Sequence, residues 1–174
     1  RLNRYRQQTL YNSIELKFYE SFVDEQNDPG DQNKTQLNAI GHIRDYVEAE
    51  EALLILFDSE NPELATKKLL GAGPAWQYES TFLIKGSKLC GSMTQSVTTI
   101  DYSSNPFGET EPVLNDIPAN PIRNIILAPL SVNNSFLGAM VFINSLFDFQ
   151  KNDRRSRFLQ LMVKGVANAD FATE

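Results

Sequence analysis

The stretch from 122 to 153, IRNIILAPLSVNNSFLGAMVFINSLFDFQKND, most constrains what this chain can fold into. Two apolar runs, 125–132 and 136–143, flank the pair Asn133-Asn134. Asparagine tolerates positive φ better than most residues, so a polar Asn pair between apolar runs reads as a tight turn. The result is an antiparallel hairpin. Each run is too short to span a bilayer and carries few polar residues, so the hairpin is expected at the centre of a sheet covered on both faces. Within it, Gly138 marks a place where another element can approach closely. Pro129 removes a ladder donor and is expected at a bulge or opposite a gap in the pairing.

A length of 174 residues suits one ordinary domain. A net charge of −6 is the wrong sign for binding nucleic acid, whose phosphates call for a basic surface. Basic residues do gather at Arg1, Arg4 and Arg6 and at Lys151, Arg154, Arg155 and Arg157, both groups near expected helix ends, where charge is ordinarily solvated. No run approaches the roughly 20 apolar residues of a membrane span, and no signal peptide is visible. The first residue is Arg1 rather than Met, so the chain reads as a piece of a larger protein, and a cytoplasmic location is expected. A single cysteine, Cys90, excludes an intramolecular disulfide, and a single histidine, His42, excludes a multi-histidine zinc centre.

Helical periodicity appears three times. In residues 4–23, Leu10, Ile14, Phe18 and Phe22 recur at i+4, an amphipathic helix whose aromatic side is suited to pairing with a second copy. A polar loop ends this segment, and the expected division is 1–34 for helix and linker and 35–174 for the main domain. A second helix is expected over 35–50, capped by Thr35, with Leu37, Ile40, Ile43 and Val47 buried. The last begins at Asn152 or Asp153 and buries Phe158, Leu161, Met162, Val166 and Ala169. Between them, strands are expected at 53–58, 67–72 and 97–101 and a short helix at 89–95. Residues 76–86 read as loop, and the four prolines of 103–121 allow at most one helical turn. This order gives an α+β fold. A central antiparallel sheet of about six strands carries the N- and C-terminal helices on one face and loops and short helices on the other.

From about Thr35 to Ala172 the chain resembles the GAF domain, the small-molecule sensing module of signalling proteins. Six pieces carry the resemblance, in family order. A helix leads into a strand ending at Asp58. Then come 88–93 (KLCGSM), 97–101 (VTTID) and 122–130 ending in Pro129-Leu130. The strand 136–144 with its internal Gly138 follows, and Phe149-x-x-x-Asp153 opens the last helix. The cyclic-nucleotide pattern of that family meets Asn144, Phe149 and Asp153 here, but Ser145 and Arg154 replace its Lys and Glu. Cys90 is followed by Gly91 rather than by the His of tetrapyrrole-attaching members. The 116–119 run (DIPA), similar to a motif of those members, is out of order relative to the strands. Reduction of methionine sulfoxide in the family needs more than one thiol. His42, the only candidate for a haem ligand, sits on a helix beside Ile43.

The resemblance implies a non-catalytic sensor domain of a larger signalling protein with a separate effector domain. A small-molecule pocket is expected between sheet and loops, lined by Trp76, Phe82, Met93, Asp101, Phe107, Asp116, Arg123 and Asn124. No cofactor is specified, and Cys90 reads as a small apolar residue of a packed helix. The other reading is a ligand-free dimerisation or protein-docking module, in which Leu10, Ile14, Phe18 and Phe22 hold two copies together.

Overall fold

The structure is a computed structural model and describes residues 32–70, 76–108, 110–119, 121–147 and 153–171. The helix expected over 4–23, and with it the pairing surface of Leu10, Ile14, Phe18 and Phe22, lies outside the described residues. The elements are α1 (Gln32–Val47), β1 (Glu51–Phe57), β2 (Leu64–Leu70), β3 (Trp76–Leu83), α2 (Lys88–Gly91), β4 (Thr98–Asp101), β5 (Asn124–Val132), β6 (Ser135–Ile143) and α3 (Asp153–Phe171). Single 3₁₀ turns cover Ile84–Gly86 and Pro112–Leu114. One six-stranded sheet runs in the order β3-β2-β1-β6-β5-β4, and every neighbouring pair is antiparallel.

The hairpin is the centre of this sheet. Asn133 and Asn134 take φ of +52° and +66°, the left-handed pair of a type I′ turn, whose twist matches that of the flanking strands. Beyond the turn, Ile126 pairs with Phe142 and Leu127 with Val141, and β6 pairs in turn with β1. Gly138 lies opposite Leu56, and a Cβ there would sit 1.9 Å from the Ile55 carbonyl oxygen. The close approach expected of this glycine is therefore to the backbone of β1. Pro129 pairs with Ala139 on β6, whereas β4 pairs only with 124–127 of β5. The residue that lacks an N–H thus lies in the stretch of β5 that β4 does not reach, one residue short of the bulge between Leu130 and Ser131.

Alternation sorts the strands onto two cores. Ala52, Leu54, Leu70, Ile126, Ala128, Leu130, Met140 and Phe142 face α1 and α3, which contribute Ile40, Ile43, Tyr46, Val47, Leu159, Met162 and Val163. Leu53, Ile55, Ala65, Leu69, Ile125, Leu127, Ala139, Val141 and Ile143 face the other way. That second face is covered by Leu89 of α2, Val113 of the Pro112–Leu114 turn, and loop residues from Phe107 to Ile122. The two-sided burial expected of the hairpin holds, with helices on one face and irregular segments on the other.

Several local expectations are corrected. Residues 76–83 form β3, not a loop. Trp76, Tyr78, Ser80 and Phe82 alternate with Gln77, Glu79, Thr81 and Leu83, a period of two interrupted by the small polar Ser80. Helix α1 starts at Gln32, so Thr35 lies inside its first turn and is not its cap. Among the described side chains of α3, Leu159, Met162 and Val163 are buried and Phe158 is half-buried, so Met162 is buried as expected whereas Leu161 is 58% exposed; the side chains of Val166 and Ala169 lie outside the described ones. The sheet-facing stripe is rotated by one residue from the expected one. Strand β2 begins at Leu64, three residues before the expected start, and this places Lys67 on the second face between Ala65 and Leu69.

Candidate functional site

The second face of the sheet is the candidate site. Its cover is built from short, irregular pieces that pack apolar side chains onto the sheet and are tied together by polar contacts. What holds them is a polar clasp over residues 111–116, and its two key residues had no sequence signature. Glu111 is 3% exposed. Its Oε1 accepts a hydrogen bond from the Ser87 hydroxyl at 2.5 Å and one from Val113 N–H at 3.4 Å. Its Oε2 accepts from Lys88 N–H at 2.8 Å and Leu89 N–H at 3.1 Å. The carboxylate therefore satisfies the first amides of α2 from another part of the chain, while Ser87 caps the same helix through Cys90 N–H at 3.0 Å.

The other end of the clasp is held from below. Lys67, in the middle of β2, is 2% exposed. Its Nζ donates to the carbonyl oxygens of Pro112 at 3.0 Å and Asn115 at 2.7 Å, the first residue of the Pro112–Leu114 turn and the one just after it. Burial pulls the ammonium below the ordinary lysine range, and the negative charges of Asp116 and Glu111 oppose that pull. Asp116 itself is exposed and sits at φ +66° where the chain leaves the clasp. Tyr102 is raised above the ordinary tyrosine range by burial first and by Glu111 second, and its ring lies 5.9 Å from that of Phe107. Parity along β2 was the one available clue to Lys67, because Ala65 and Leu69 on either side point to the same core.

Seven of the eight residues expected to line a pocket fall into three groups, and Trp76 stands apart. Phe82, Met93 and Phe107 are half-buried against the second-face core. Asp116 lies beside Lys67. Asp101, Arg123 and Asn124 gather where β4 meets β5, with Asp101 opposite Asn124 in the register. Backbone Trp76 stands opposite Leu70 across the bulge of the β2–β3 pair, and its side chain lies outside the described ones.

Arg123 and Asn124 of the third group belong to a network centred on Asn144, which is 1% exposed and at φ +56°. Asn144 Oδ1 accepts from Arg123 N–H at 2.6 Å, and its Nδ2 donates to Glu50 Oε2 at 2.8 Å and to the Pro121 carbonyl at 3.0 Å. The Asn124 side chain pairs with the Ser145 backbone through Nδ2 to O at 3.0 Å and N–H to Oδ1 at 2.9 Å. The Ser145 hydroxyl donates to the Val47 carbonyl, which ties the end of α1 to the end of β6. Arg123 reaches Glu50 at 3.1 Å across the surface. Asp101 Oδ1 accepts from Ser103 N–H at 3.0 Å, and this hydrogen bond holds its carboxyl below the usual aspartate range. Cys90 is half-buried beside Ser87, and burial pushes its thiol up, away from the reactive thiolate. Among the described residues no group of three or more His, Cys, Asp or Glu side chains is arranged to hold a metal ion.

Comparison with solved structures decides the fold. The GAF domain of A. aeolicus nlh2, in an inactive state, superposes with a TM-score of 0.68 over 94% of this chain and 99% of that one, at 8% identity. The chain has the fold of a GAF domain. The GAF domain of the Acinetobacter phosphoenolpyruvate-protein phosphotransferase gives a TM-score of 0.66 at 12% identity, over 88% of this chain and 90% of that one. The free methionine-R-sulfoxide reductase of Neisseria meningitidis, in complex with its substrate, gives 0.64 at 11% identity, over 94% and 89%. No family model matches the sequence, and no curated protein matches it. At these identities the agreement concerns the GAF fold, and function must be argued from the residues of this chain.

Proposed function

We propose that this GAF domain is a non-catalytic regulatory sensor in a larger, cytoplasmic signalling protein. It takes a small molecule between the second face of the sheet and the cover formed by residues 84–122. Phe82, Met93 and Phe107 supply apolar lining, and Asp101, Asp116, Arg123 and Asn124 complete the rim. The observation that carries this reading is the asymmetry of the two faces. One is sealed by two long helices, the other by short segments held by a polar clasp that can open without disturbing the sheet. Signal transfer follows from the same layout, because a ligand that favours one arrangement of the cover acts through the shared strands on α1 and α3. The chain's one thiol is pushed away from thiolate by burial, and no second thiol exists to resolve it, which favours a sensor over a sulfoxide reductase.

The test is native mass spectrometry of the freshly purified chain, followed by amide chemical-shift mapping against a metabolite mixture. The sensor reading expects saturable shifts in residues 84–122 that extend to α1 or α3. Shifts confined to the outer surfaces of the helices, or none with any compound, would refute it.

One observation favours a ligand-free docking module as the second reading. Leu161 on α3 and Leu146 before it are 58% and 77% exposed. Pairing of two copies through these and through Leu10, Ile14, Phe18 and Phe22 predicts a dimer mass in light scattering that Phe18→Asp and Leu161→Glu abolish.

A further inference from the structure

The outer side of α3 presents a row of Arg157, Leu161 and Lys164, spaced i, i+4 and i+7, all three exposed and Leu161 at 58%. Half-buried Phe158 and Gly165 border it. No acidic residue occurs from 154 to 169, in a chain whose net charge is −6. We propose that this row is the docking surface for the chain's own residues 10–25, which lie along it as an intramolecular strap. The inference stands apart from the sensor reading, because it needs no ligand.

Charge complementarity names the occupant. Residues 10–31 hold Glu15, Glu20, Asp24, Glu25, Asp28 and Asp31 against Lys17 alone. A second copy of α3 is a poor fit, because closing two such rows about a two-fold axis at Leu161 sets Arg157 against the partner's Lys164, like charge against like. Topology supplies the reach. Glu51 pairs with Ile143, so the end of α1 and the start of α3 share one end of the sheet, where the rings of Tyr46 and Phe158 lie 5.3 Å apart. Both helices pack from there over the same face, so α1 starts near the last turns of α3. Nine residues, 23–31, join Phe22 to Gln32. They can span about 30 Å, whereas the row from Arg157 to Lys164 is only about 10 Å long. Their Asp28-Pro29-Gly30 is turn sequence and reverses the chain, so 10–22 runs parallel to α3. A short tether holds the segment at an effective concentration on the order of millimolar, and its own α3 therefore outcompetes another copy at micromolar protein. The spacing fixes the register. With Phe18 and Phe22 on either side of Leu161, Glu15 comes level with Arg157 and Asp24 with Lys164 to within one residue. Such exposed ion pairs set register more than strength. The strap gives Leu10, Ile14, Phe18 and Phe22 a partner within one chain, and so predicts a monomer where pairing of copies predicts a dimer.

The experiment is zero-length carbodiimide cross-linking of the whole wild-type chain at micromolar concentration, with products separated by mass and mapped by peptide mass spectrometry. The expected result is an amide between Lys164 Nζ and Asp24 or Glu25 in the product of monomer mass, with a yield that falls as salt is raised. Leu161→Glu, at an exposed position, should lower that yield about tenfold, the value of an apolar contact replaced by a charge. Lys164→Asp should abolish the link, and adding Asp24→Lys should restore one between positions 24 and 164. A Lys164 link to 15–25 found only at dimer mass would assign the row to a second copy and overturn the strap. An unchanged yield in Leu161→Glu would overturn it as well. So would the absence of any Lys164 link to 15–25 in the wild type, a readout that does not depend on how any variant folds.

Discussion

Gly138→Ala offers the sharpest test of the central strand packing. The added Cβ would lie 1.9 Å from the Ile55 carbonyl oxygen, 2.9 Å from its carbon and 3.2 Å from the Leu56 Cα. All three are backbone atoms of β1, so no side chain can turn aside. A carbon-to-oxygen contact settles at about 3.3 Å or more, so β1 and β6 must separate by about 1.4 Å here. Gly138 also pairs with Leu130 on β5, so β6 cannot simply slide away from β1 without disturbing its other neighbour. Separation on this scale breaks about two ladder hydrogen bonds at about 1 kcal/mol each and strands one or two buried backbone groups at about 1–3 kcal/mol each. The expected loss is about 3–5 kcal/mol, a large part of the roughly 5–15 kcal/mol that holds a typical domain folded. Urea unfolding followed by circular dichroism measures it, as a fall in midpoint at unchanged slope. The control is Gly41→Ala on α1, where an added Cβ meets nothing within 4 Å and helix propensity predicts a gain of up to about 1 kcal/mol. A loss below about 1 kcal/mol for Gly138→Ala would show that the close approach of β1 is not there.

Four further outcomes are expected. Asn134→Gly relieves a left-handed backbone at φ +66° and should raise the urea midpoint by the equivalent of about 0.5–1 kcal/mol. Asn144→Ala removes the acceptor of Arg123 N–H and leaves Ala at φ +56°, so unfolding should show a cost of about 2–4 kcal/mol. Cys90→Ala should keep the fold, lose about 1 kcal/mol or less and leave the absorption spectrum unchanged; new or lost colour would contradict it. Glu51 has a buried Oε2 with no hydrogen-bond partner and a pKa raised above 4.5, chiefly by burial. The folded state therefore takes up its proton before the unfolded state does, and the penalty of the ionised form disappears as pH falls through the folded pKa. Glu51→Gln should stabilise the domain at pH 7, with the difference from wild type shrinking on acidification; a difference independent of pH contradicts the assignment.

The parts of the fold that could be read in the sequence are those where backbone geometry demands particular residues. An Asn pair at two positive φ angles, a glycine with no room for a Cβ and a proline beyond the reach of β4 each have few substitutes, so their identities announce their roles. The apolar hairpin between them shows its two-sided burial in composition alone. Strand β3 was hidden because Ser80 interrupts its alternation and its outer edge has no partner strand among the described residues. The α3 stripe was misplaced by one residue because Leu159 and Leu161 are equally apolar, and only packing against β5 and α1 decides which turns inward. The clasp was invisible for a different reason. Lys67 and Glu111 are 44 positions apart, charged residues are ordinarily solvated, and apart from the parity of β2 at Lys67 nothing local shows that the fold buries both. Arg123 and Asn124 were recognised as special, yet what the structure displays at both is a bond to the 144–145 turn.

Native-state hydrogen exchange tests the account most directly, because the sensor reading requires the cover to open while the sheet stays intact. The amides of Lys88, Leu89 and Val113, bonded to Glu111, should exchange through local opening at a free energy well below that of β1 and β6, and nearly independently of low urea. If those amides exchange only with global unfolding, with the same urea dependence as the central strands, the second face is a fixed core and the account is wrong.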